Sequence, residues 1–185
     1  MAIIATSRTP AQLVSYLQSY LSHLERWLTE WSRAINVLKS SAIIFAQAGR
    51  RFIQPRSETL FGDPIKWVDT TRYFGVTLDQ RLTWSPHIER VSRRATQRMG
   101  LLGPLLNRRS DLSIRNGVLL YMQLIRPLMD YACPVWRSAS RTQVRRLQVL
   151  QSKCIRLVTG APWYLSKRQI HDDLGVPFLP ATSEP

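Results

Sequence analysis

The spacing of apolar residues changes sharply near residue 80, and this change constrains the fold more than any other feature. Residues 1–80 hold one long helical stripe and several short apolar runs separated by glycine and proline. From Ser85 to Gly175, apolar residues recur every three or four positions, as they do on the buried face of an α-helix. The sequence therefore predicts an α+β region over residues 1–80, an all-α region over 81–176 and a loose tail over 177–185.

In the first region, Thr9-Pro10 predicts the cap and first turn of a helix that continues to about residue 33. A stripe this long must pack on a large flat surface such as a sheet, here a short antiparallel one. The strands are predicted at Ile3-Ile4-Ala5, at 42–46, in a hairpin with its turn at Gly62-Asp63, and at 72–78. The predicted stripe consists of Leu13, Leu17, Tyr20, Leu24, Trp27 and Trp31, widened by Leu21, Leu28 and Ile35.

The second region contains start and stop signals for four helices. Ser85 is the predicted N-cap of the first helix, and Gly103-Pro104 should kink or end it. The second helix should begin after Ser113 and be bent or broken at Pro127. The third should begin at Ser140 or Thr142 and end at Gly160. The fourth should begin at Ser166 and end at Gly175.

Charge is the strongest compositional signal. The chain has 26 basic and 12 acidic side chains, and residues 81–185 alone hold 17 basic and 6 acidic ones. Most of the basic residues are arginine, whose planar guanidinium binds phosphate through two hydrogen bonds and stacks on bases. A polyanionic partner is expected, and nucleic acid is the commonest one. A solvated basic face, or a surface for an acidic protein, is the alternative.

Other classes are disfavoured. No apolar run approaches the roughly 20 residues that span a bilayer, and the first residues lack the basic flank of a signal peptide, so a soluble, intracellular protein is expected. The potential metal ligands are too scattered to predict a metal site or a disulfide. They are Cys133, Cys154, His23, His87 and His171.

Several motifs, in their order and spacing, resemble the C-terminal part of reverse transcriptases (RNA-directed DNA polymerases) from jockey-like non-LTR retrotransposons. The resemblance runs from about Ala2 to Phe178. The segments that carry it are Asn36-Val37-Leu38-Lys39-Ser40, Tyr73-Phe74-Gly75-Val76-Thr77-Leu78-Asp79, Leu82-Thr83-Trp84-Ser85-Pro86-His87-Ile88, Tyr131-Ala132-Cys133-Pro134-Val135-Trp136, Leu147-Gln148-Val149-Leu150-Gln151-Ser152-Lys153-Cys154 and Thr159-Gly160-Ala161-Pro162-Trp163-Tyr164.

The resemblance implies the end of a polymerase palm followed by a basic helical thumb. Such enzymes hold two Mg²⁺ ions on carboxylates. The family's aromatic-x-Asp-Asp turn would lie before Met1, so this chain is expected to lack its metal ligands and to be inactive alone. Asp172-Asp173 is not a substitute, because its context predicts the polar face of a short helix rather than a hairpin turn.

The resemblance also implies accessory sites. Lys39 would approach the incoming triphosphate, and Tyr73-Phe74-Gly75 would form the strand that grips the primer end. Basic side chains would track the template–primer backbone. These are Arg90, Arg93, Arg94, Arg98, Arg108, Arg109, Arg145 and Arg146.

Three functions remain open at this point. The first is a reverse transcriptase segment that grips an RNA/DNA template–primer and needs the palm and fingers that would precede it. The second is a non-catalytic nucleic-acid-binding module that uses the basic helices alone. The third is a basic helical domain whose partner is an acidic protein.

Overall fold

A computed structural model describes residues 2–45, 57–107 and 110–179. The chain divides into two compact units, and the boundary passes through a β-hairpin. The first unit is Met1–Arg72 with Asp79–Leu82, and the second is Tyr73–Leu78 with Thr83–Pro185. The assignment of palm and thumb to particular residues stays a prediction.

The first unit is built on one long helix, α1, which spans Pro10–Glu30. The Thr9 hydroxyl accepts a hydrogen bond from the Gln12 backbone N–H, and Pro10 occupies the first turn, where its missing N–H costs nothing. The predicted start of this helix is confirmed. A single 3₁₀ turn, Val37–Lys39, follows α1.

Among the described residues of the first unit, α1 is accompanied by four two-residue strands. They are β1 (Ser41–Ala42), β2 (Thr59–Leu60), β3 (Asp63–Pro64) and β4 (Lys66–Trp67). β2 and β3 form an antiparallel hairpin, and β1 pairs with β4 in parallel. The Gln18 side chain of α1 joins the hairpin: its amide oxygen accepts from Thr59 N at 3.0 Å and its Nε2 donates to the Thr59 carbonyl at 3.2 Å. The α+β class is confirmed.

Four strand details were predicted wrongly. The hairpin turn is Phe61-Gly62, not Gly62-Asp63, because Leu60 pairs with Asp63 and both turn residues have positive φ (53° and 82°). Ile3-Ile4-Ala5 is not a strand, and Ile4 is 88% exposed. The strand predicted at 42–46 pairs only at β1 and leaves Phe45 exposed; Ala46 lies outside the described residues. The single strand predicted at 72–78 is a hairpin, because the chain turns at Phe74-Gly75.

The buried face of α1 also differs from the predicted one. Leu21 and Leu28 are buried, whereas Trp27 and Trp31 are 51% and 65% exposed. Leu21 forms a small core with Leu60 and Ile65 of the hairpin region. The strands of the β2–β3 hairpin have two residues each and cover only a narrow strip of α1. The aromatic side of the apolar stripe, Trp27 and Trp31, is therefore exposed to solvent.

A second hairpin, formed by β5 (Thr70–Tyr73) and β6 (Val76–Asp79), contains the boundary between the units, and its tip, Tyr73–Leu78, belongs to the second unit. The remainder of the unit is helical. Its helices are α2 (Ser85–Leu106), α3 (Ile114–Leu120), a π-helical segment (Tyr121–Ile125), α4 (Arg126–Asp130), α5 (Cys133–Trp136), α6 (Arg141–Thr159) and α7 (Lys167–Asp173).

Local signals set most of these helix ends. The Ser113 hydroxyl accepts from Asn116 N, and that of Ser166 accepts from Gln169 N. Gly160 ends α6 in the left-handed region at φ 61°, and Ser140 immediately precedes α6. These predictions are confirmed.

Other helix boundaries were predicted wrongly. Ser85 is not the cap of α2: Trp84 precedes the helix at φ 64°, and the Ser85 hydroxyl accepts from Gln143 instead. α2 does not end at Pro104 but continues to Leu106, whose burial stabilises the last turn. The helix is not broken at Pro127, since the π-helical segment leads directly into α4.

The core of the second unit lies mainly between α2 and α6, which pack against each other. Its fully buried side chains include Ile88, Tyr121, Trp136, Leu147 and Ile155. Within the described ranges, no helix combines the length and apolar character that a membrane span requires.

Three residues of the predicted loose tail, Pro177 to Leu179, contact this core. The Pro177 carbonyl accepts from the Arg126 and Gln151 side chains at 2.7 and 2.9 Å. The Gln151 amide oxygen accepts from Leu179 N, and Leu179 is buried. Residues 180–185 lie outside the described part of the chain.

Candidate functional site

The predicted primer-grip residues form the tip of the β5–β6 hairpin. Tyr73 ends β5, and Phe74 and Gly75 make the turn with φ angles of 44° and 80°. Two consecutive positive φ values are typical of the tight hairpin turn that matches the twist of its strands. Gly75 fits its position because a Cβ is disfavoured there.

Both carbonyl groups of this turn are held by side chains from the helices. The Tyr131 hydroxyl donates to the Phe74 carbonyl at 2.6 Å, and the Arg90 guanidinium donates to the Gly75 carbonyl. A Cβ at Gly75 would lie 3.0 Å from Tyr131 Cε1. The turn is therefore positioned by α2 and by the residue that follows α4.

Tyr131 is itself held in place by the buried part of its motif. It follows α4, and Ala132 adopts the left-handed region at φ 54° before α5 begins. The indole N–H of Trp136 donates to the Tyr131 carbonyl at 2.8 Å, and Trp136 is completely buried. Burial of a large ring thus orients the tyrosine that contacts the hairpin.

A buried histidine makes a second connection between the hairpin and α2. Thr77 N donates to His87 Nδ1 at 3.3 Å, and His87 is 1% exposed. Burial and, secondarily, the charge of Arg90 lower the pKa of His87 below its ordinary value. The neutral ring with Nδ1 as acceptor is the form that this contact requires.

Two aromatic rings remain exposed at the tip. Phe74 is 76% exposed and Tyr73 39% exposed, with ring centroids 4.4 Å apart in an edge-on arrangement. The backbone beneath them is fixed by the contacts described above. The tip can therefore offer aromatic surface to a base or sugar with little loss of conformational freedom.

The predicted nucleic-acid-binding arginines fall into four groups. Arg90 is half-buried and contacts the hairpin turn. Arg93 is exposed and pairs with Glu89 at 3.0 Å, a surface ion pair that contributes little to stability. Arg108 and Arg109 lie outside the described residues. The exposed remainder are Arg94 and Arg98 on α2 and Arg145 and Arg146 on α6.

Lys39 belongs to the first unit, whereas the hairpin tip and the arginines belong to the second. It ends the 3₁₀ turn, its side chain is exposed, and its backbone N–H donates to Asn36 Oδ1 at 3.1 Å. The Asn36 cap fixes the backbone from which the lysine extends.

The described residues offer no metal centre. Within them, no three His, Cys, Asp or Glu side chains lie close enough together to hold an ion. Asp172 and Asp173 are exposed on α7, as the sequence predicted. Burial raises the pKa of the Cys154 thiol to about 12 and also raises that of Cys133, so neither is a reactive thiolate at neutral pH.

Comparison with known proteins gives a consistent set of relatives. The chain is 32% identical over 179 residues, 97% of its length, to the RNA-directed DNA polymerase from mobile element jockey of Drosophila funebris. It is 30% identical over 178 residues to the Drosophila melanogaster protein of the same name, and 31% identical over 176 residues to a probable RNA-directed DNA polymerase from transposon BS.

The chain is a relative of the jockey-like reverse transcriptases. The resemblance that the sequence motifs indicated is confirmed. The chain spans 19% of the length of each of these three relatives. No family model matches it. No solved structure matches it either.

In this jockey-like chain, sequence reasoning missed the residues that support the hairpin. Tyr131, His87 and Trp136 all occur in the motifs that carried the resemblance, but no local pattern connects them to Gly75. The available signal was that all three residues have large rings with a polar atom and occur in the motifs of the resemblance.

Proposed function

We propose that this chain is the part of a jockey-like reverse transcriptase that grips the template–primer. In this proposal residues 1–80 end the palm, residues 81–176 form the thumb and connection, and the nucleic acid is an RNA/DNA template–primer. The observation that carries it is the hairpin tip, where Phe74 is exposed on a backbone held by Tyr131 and Arg90. Relatives named RNA-directed DNA polymerases support the same ligand.

The tip would contact the primer end through its aromatic surface. Phe74 is 76% exposed, so its ring buries little apolar surface within the fold. A ring fixed at the edge of a hairpin suits packing against a terminal base or sugar. Gly75 keeps the turn compact beneath the ring.

The exposed arginines of α2 and α6 would bind the phosphates that flank this contact. Arg94 and Arg98 are one helical turn apart on α2, so they present two cations in one row. Such contacts provide affinity and salt dependence with little sequence preference. Lys39 would add a charge near the incoming triphosphate in the complete enzyme.

In this proposal, no carboxylate of the chain takes part in catalysis. The Mg²⁺ ligands of a polymerase would belong to a part of the reverse transcriptase outside these 185 residues. The chain alone, supplied with primed template, nucleotides and Mg²⁺, is then expected not to extend the primer. Extension by the purified chain would contradict this assignment.

Binding to an RNA–DNA hybrid tests the phosphate contacts. The apparent affinity is measured at several salt concentrations for the wild-type chain and for the double variant Arg94→Gln/Arg98→Gln. The double variant should bind more weakly, with a salt slope smaller by about one unit per lost phosphate contact. Arg8→Gln/Arg26→Gln removes the same charge from exposed positions of the first unit and serves as the control.

Equal slopes for both double variants would mean that only net charge matters. A wild-type chain that shows no salt slope would contradict nucleic-acid binding and favour the acidic-protein alternative.

A recessed primer end tests the hairpin tip. Phe74→Ala should weaken binding to a hybrid with a recessed 3′ end and leave binding to a blunt hybrid of equal length unchanged. Phe61→Ala is the matched control, because Phe61 is also an exposed ring at a hairpin turn with positive φ. Equal losses on both substrates would remove the primer-end assignment.

A further inference from the structure

A second pair of exposed aromatic residues follows α6 and has no part in the proposed grip. Trp163 is 89% exposed and Tyr164 70% exposed. Their ring centroids are 6.1 Å apart and the ring planes are at 80°. In this edge-on arrangement, at least one face of each ring is left open by the other.

The backbone that presents these rings is well fixed. The Arg156 guanidinium donates to the carbonyl groups of Pro162 and Leu165, each at 2.6 Å. These two carbonyl groups flank the aromatic pair on either side. One half-buried arginine thus holds the segment against α6, while both rings are exposed to solvent.

The helix end supports the same geometry. Thr159 Oγ1 donates to the Ile155 carbonyl at 3.0 Å and accepts from Ala161 N at 3.2 Å. Gly160, between Thr159 and Ala161, adopts the left-handed conformation with φ 61°. The segment leaves α6 in one defined direction, so the exposure of the rings follows from the hydrogen bonding.

Two cations follow the pair closely along the chain. Lys167 and Arg168 are exposed on the first turn of α7, directly after the segment. Asp172 and Asp173 are exposed at the other end of α7. Cations beside open aromatic faces suit a ligand that combines negative charge with flat rings.

We propose that Trp163 and Tyr164 form a stacking platform for unpaired nucleotides, with Lys167 and Arg168 binding the adjacent phosphates. A duplex presents phosphates and groove edges, whereas its base faces are covered by stacking, so an open ring face selects a single strand. This surface differs from the hairpin tip, and the proposal does not depend on primer gripping.

Binding of a single-stranded RNA 20-mer of uridine to the full chain, followed by fluorescence anisotropy, tests the platform. Trp163→Ala and Tyr164→Ala should each weaken this binding about 5- to 150-fold, the range for one lost stacking contact of ~1–3 kcal/mol. Binding to a blunt RNA–DNA hybrid should change less than about twofold. Trp163→Phe should retain most of the affinity, since it keeps a stacking face.

Trp31→Ala is the matched control, because Trp31 is an exposed tryptophan, 65% exposed, in the first unit. It should leave single-strand binding unchanged. Thermal unfolding of each variant checks that the fold is intact, which is expected because the replaced side chains are exposed.

Unchanged single-strand affinity in both alanine variants would overturn the proposal, as would equal losses on single strand and hybrid. Binding of vesicles of phosphatidylcholine and phosphatidylserine that depends on Trp163, without single-strand binding, would assign the pair to a membrane surface instead. Failure of the Arg94→Gln/Arg98→Gln test on the hybrid would leave this proposal standing, so the two can be separated.

Discussion

Replacement of Gly75 by alanine tests the packing of the hairpin turn most directly. Two effects should destabilise the variant. The first is backbone strain, because φ at this position is 80° and an L side chain is disfavoured there. The second is steric, because the new Cβ would lie 3.0 Å from Tyr131 Cε1 and 3.2 Å from the Tyr131 hydroxyl oxygen.

The two effects can be given approximate sizes. A left-handed non-glycine residue costs roughly 1–2 kcal/mol. Displacement of the Tyr131 ring would weaken its 2.6 Å hydrogen bond to the Phe74 carbonyl, a contact worth about 0.5–1.5 kcal/mol. We therefore expect Gly75→Ala to lower the free energy of unfolding by ~1.5–3.5 kcal/mol, a large part of the stability of a typical domain.

Gly175→Ala is the matched control for the backbone effect. Gly175 also has a positive φ, 61°, and lies in the same unit, but nothing lies within 4 Å of the position of its Cβ. Gly175→Ala should lower the free energy of unfolding only by the backbone strain, about 1–2 kcal/mol. The difference between the two variants then measures the contact with the Tyr131 ring.

The assay is urea unfolding of the full chain, followed by far-ultraviolet circular dichroism. A double-mutant cycle with Tyr131→Ala completes it: without the ring, Gly75→Ala should cost no more than Gly175→Ala. If Gly75→Ala and Gly175→Ala cost the same, or if Tyr131→Ala leaves the cost of Gly75→Ala unchanged, the ring does not oppose a side chain at this turn and our reasoning is refuted.

Four further predictions follow from other contacts. Tyr131→Phe keeps the ring but removes the hydroxyl, so it should lower the free energy of unfolding by about 0.5–1 kcal/mol in the same assay; no change would contradict the contact with the hairpin. His87 has a lowered pKa in the folded chain, so the unfolded state binds its proton at higher pH. Stability should therefore be complete above about pH 6.5 and should fall as the pH drops below it, with a smaller slope in His87→Gln; equal slopes would contradict this. Gly117→Ala would bring a Cβ to 2.7 Å from Val158 Cγ1 and should cost ~1–3 kcal/mol, with partial recovery in Gly117→Ala/Val158→Ala; the absence of recovery would exclude that contact as the cause. In hydrogen exchange, residues 85–175 should be better protected than residues 1–80, because the buried apolar cluster of the second unit is far larger among the described residues; equal protection would contradict this.

Local signals predicted the helices of this chain well where the cause is local. The Thr9, Ser113 and Ser166 hydroxyls accept hydrogen bonds at the helix starts, as their positions before apolar stripes indicated. Gly160 ends α6 because a left-handed residue closes a helix most easily without a side chain. Each of these outcomes depends on residues within about four positions, so the sequence contains the needed information.

The wrong predictions concern positions where contacts with residues distant in sequence decide which side chains are buried. The apolar stripe of α1 includes Leu21 and Trp27 alike, and its periodicity does not say which edge is covered. The hairpin at Leu60 buries the leucine edge and leaves Trp27 in solvent. Similarly, Pro104 is a helix breaker by local rules, yet α2 continues past it to bury Leu106.

The features of the candidate site also separate into those that depend on local sequence and those that depend on tertiary contacts. The sequence by itself determined the relationship to jockey-like reverse transcriptases and the basic character of the helices, because these are properties of residue type and order. The turn at Phe74-Gly75, where the sequence predicted one strand, is a finding of the structure. Only the tertiary structure decided that Arg90 donates to the Gly75 carbonyl and that Tyr131 covers the glycine, 56 positions away along the chain. Such contacts form when packed helices bring remote residues together, and no periodicity or cap records them in advance.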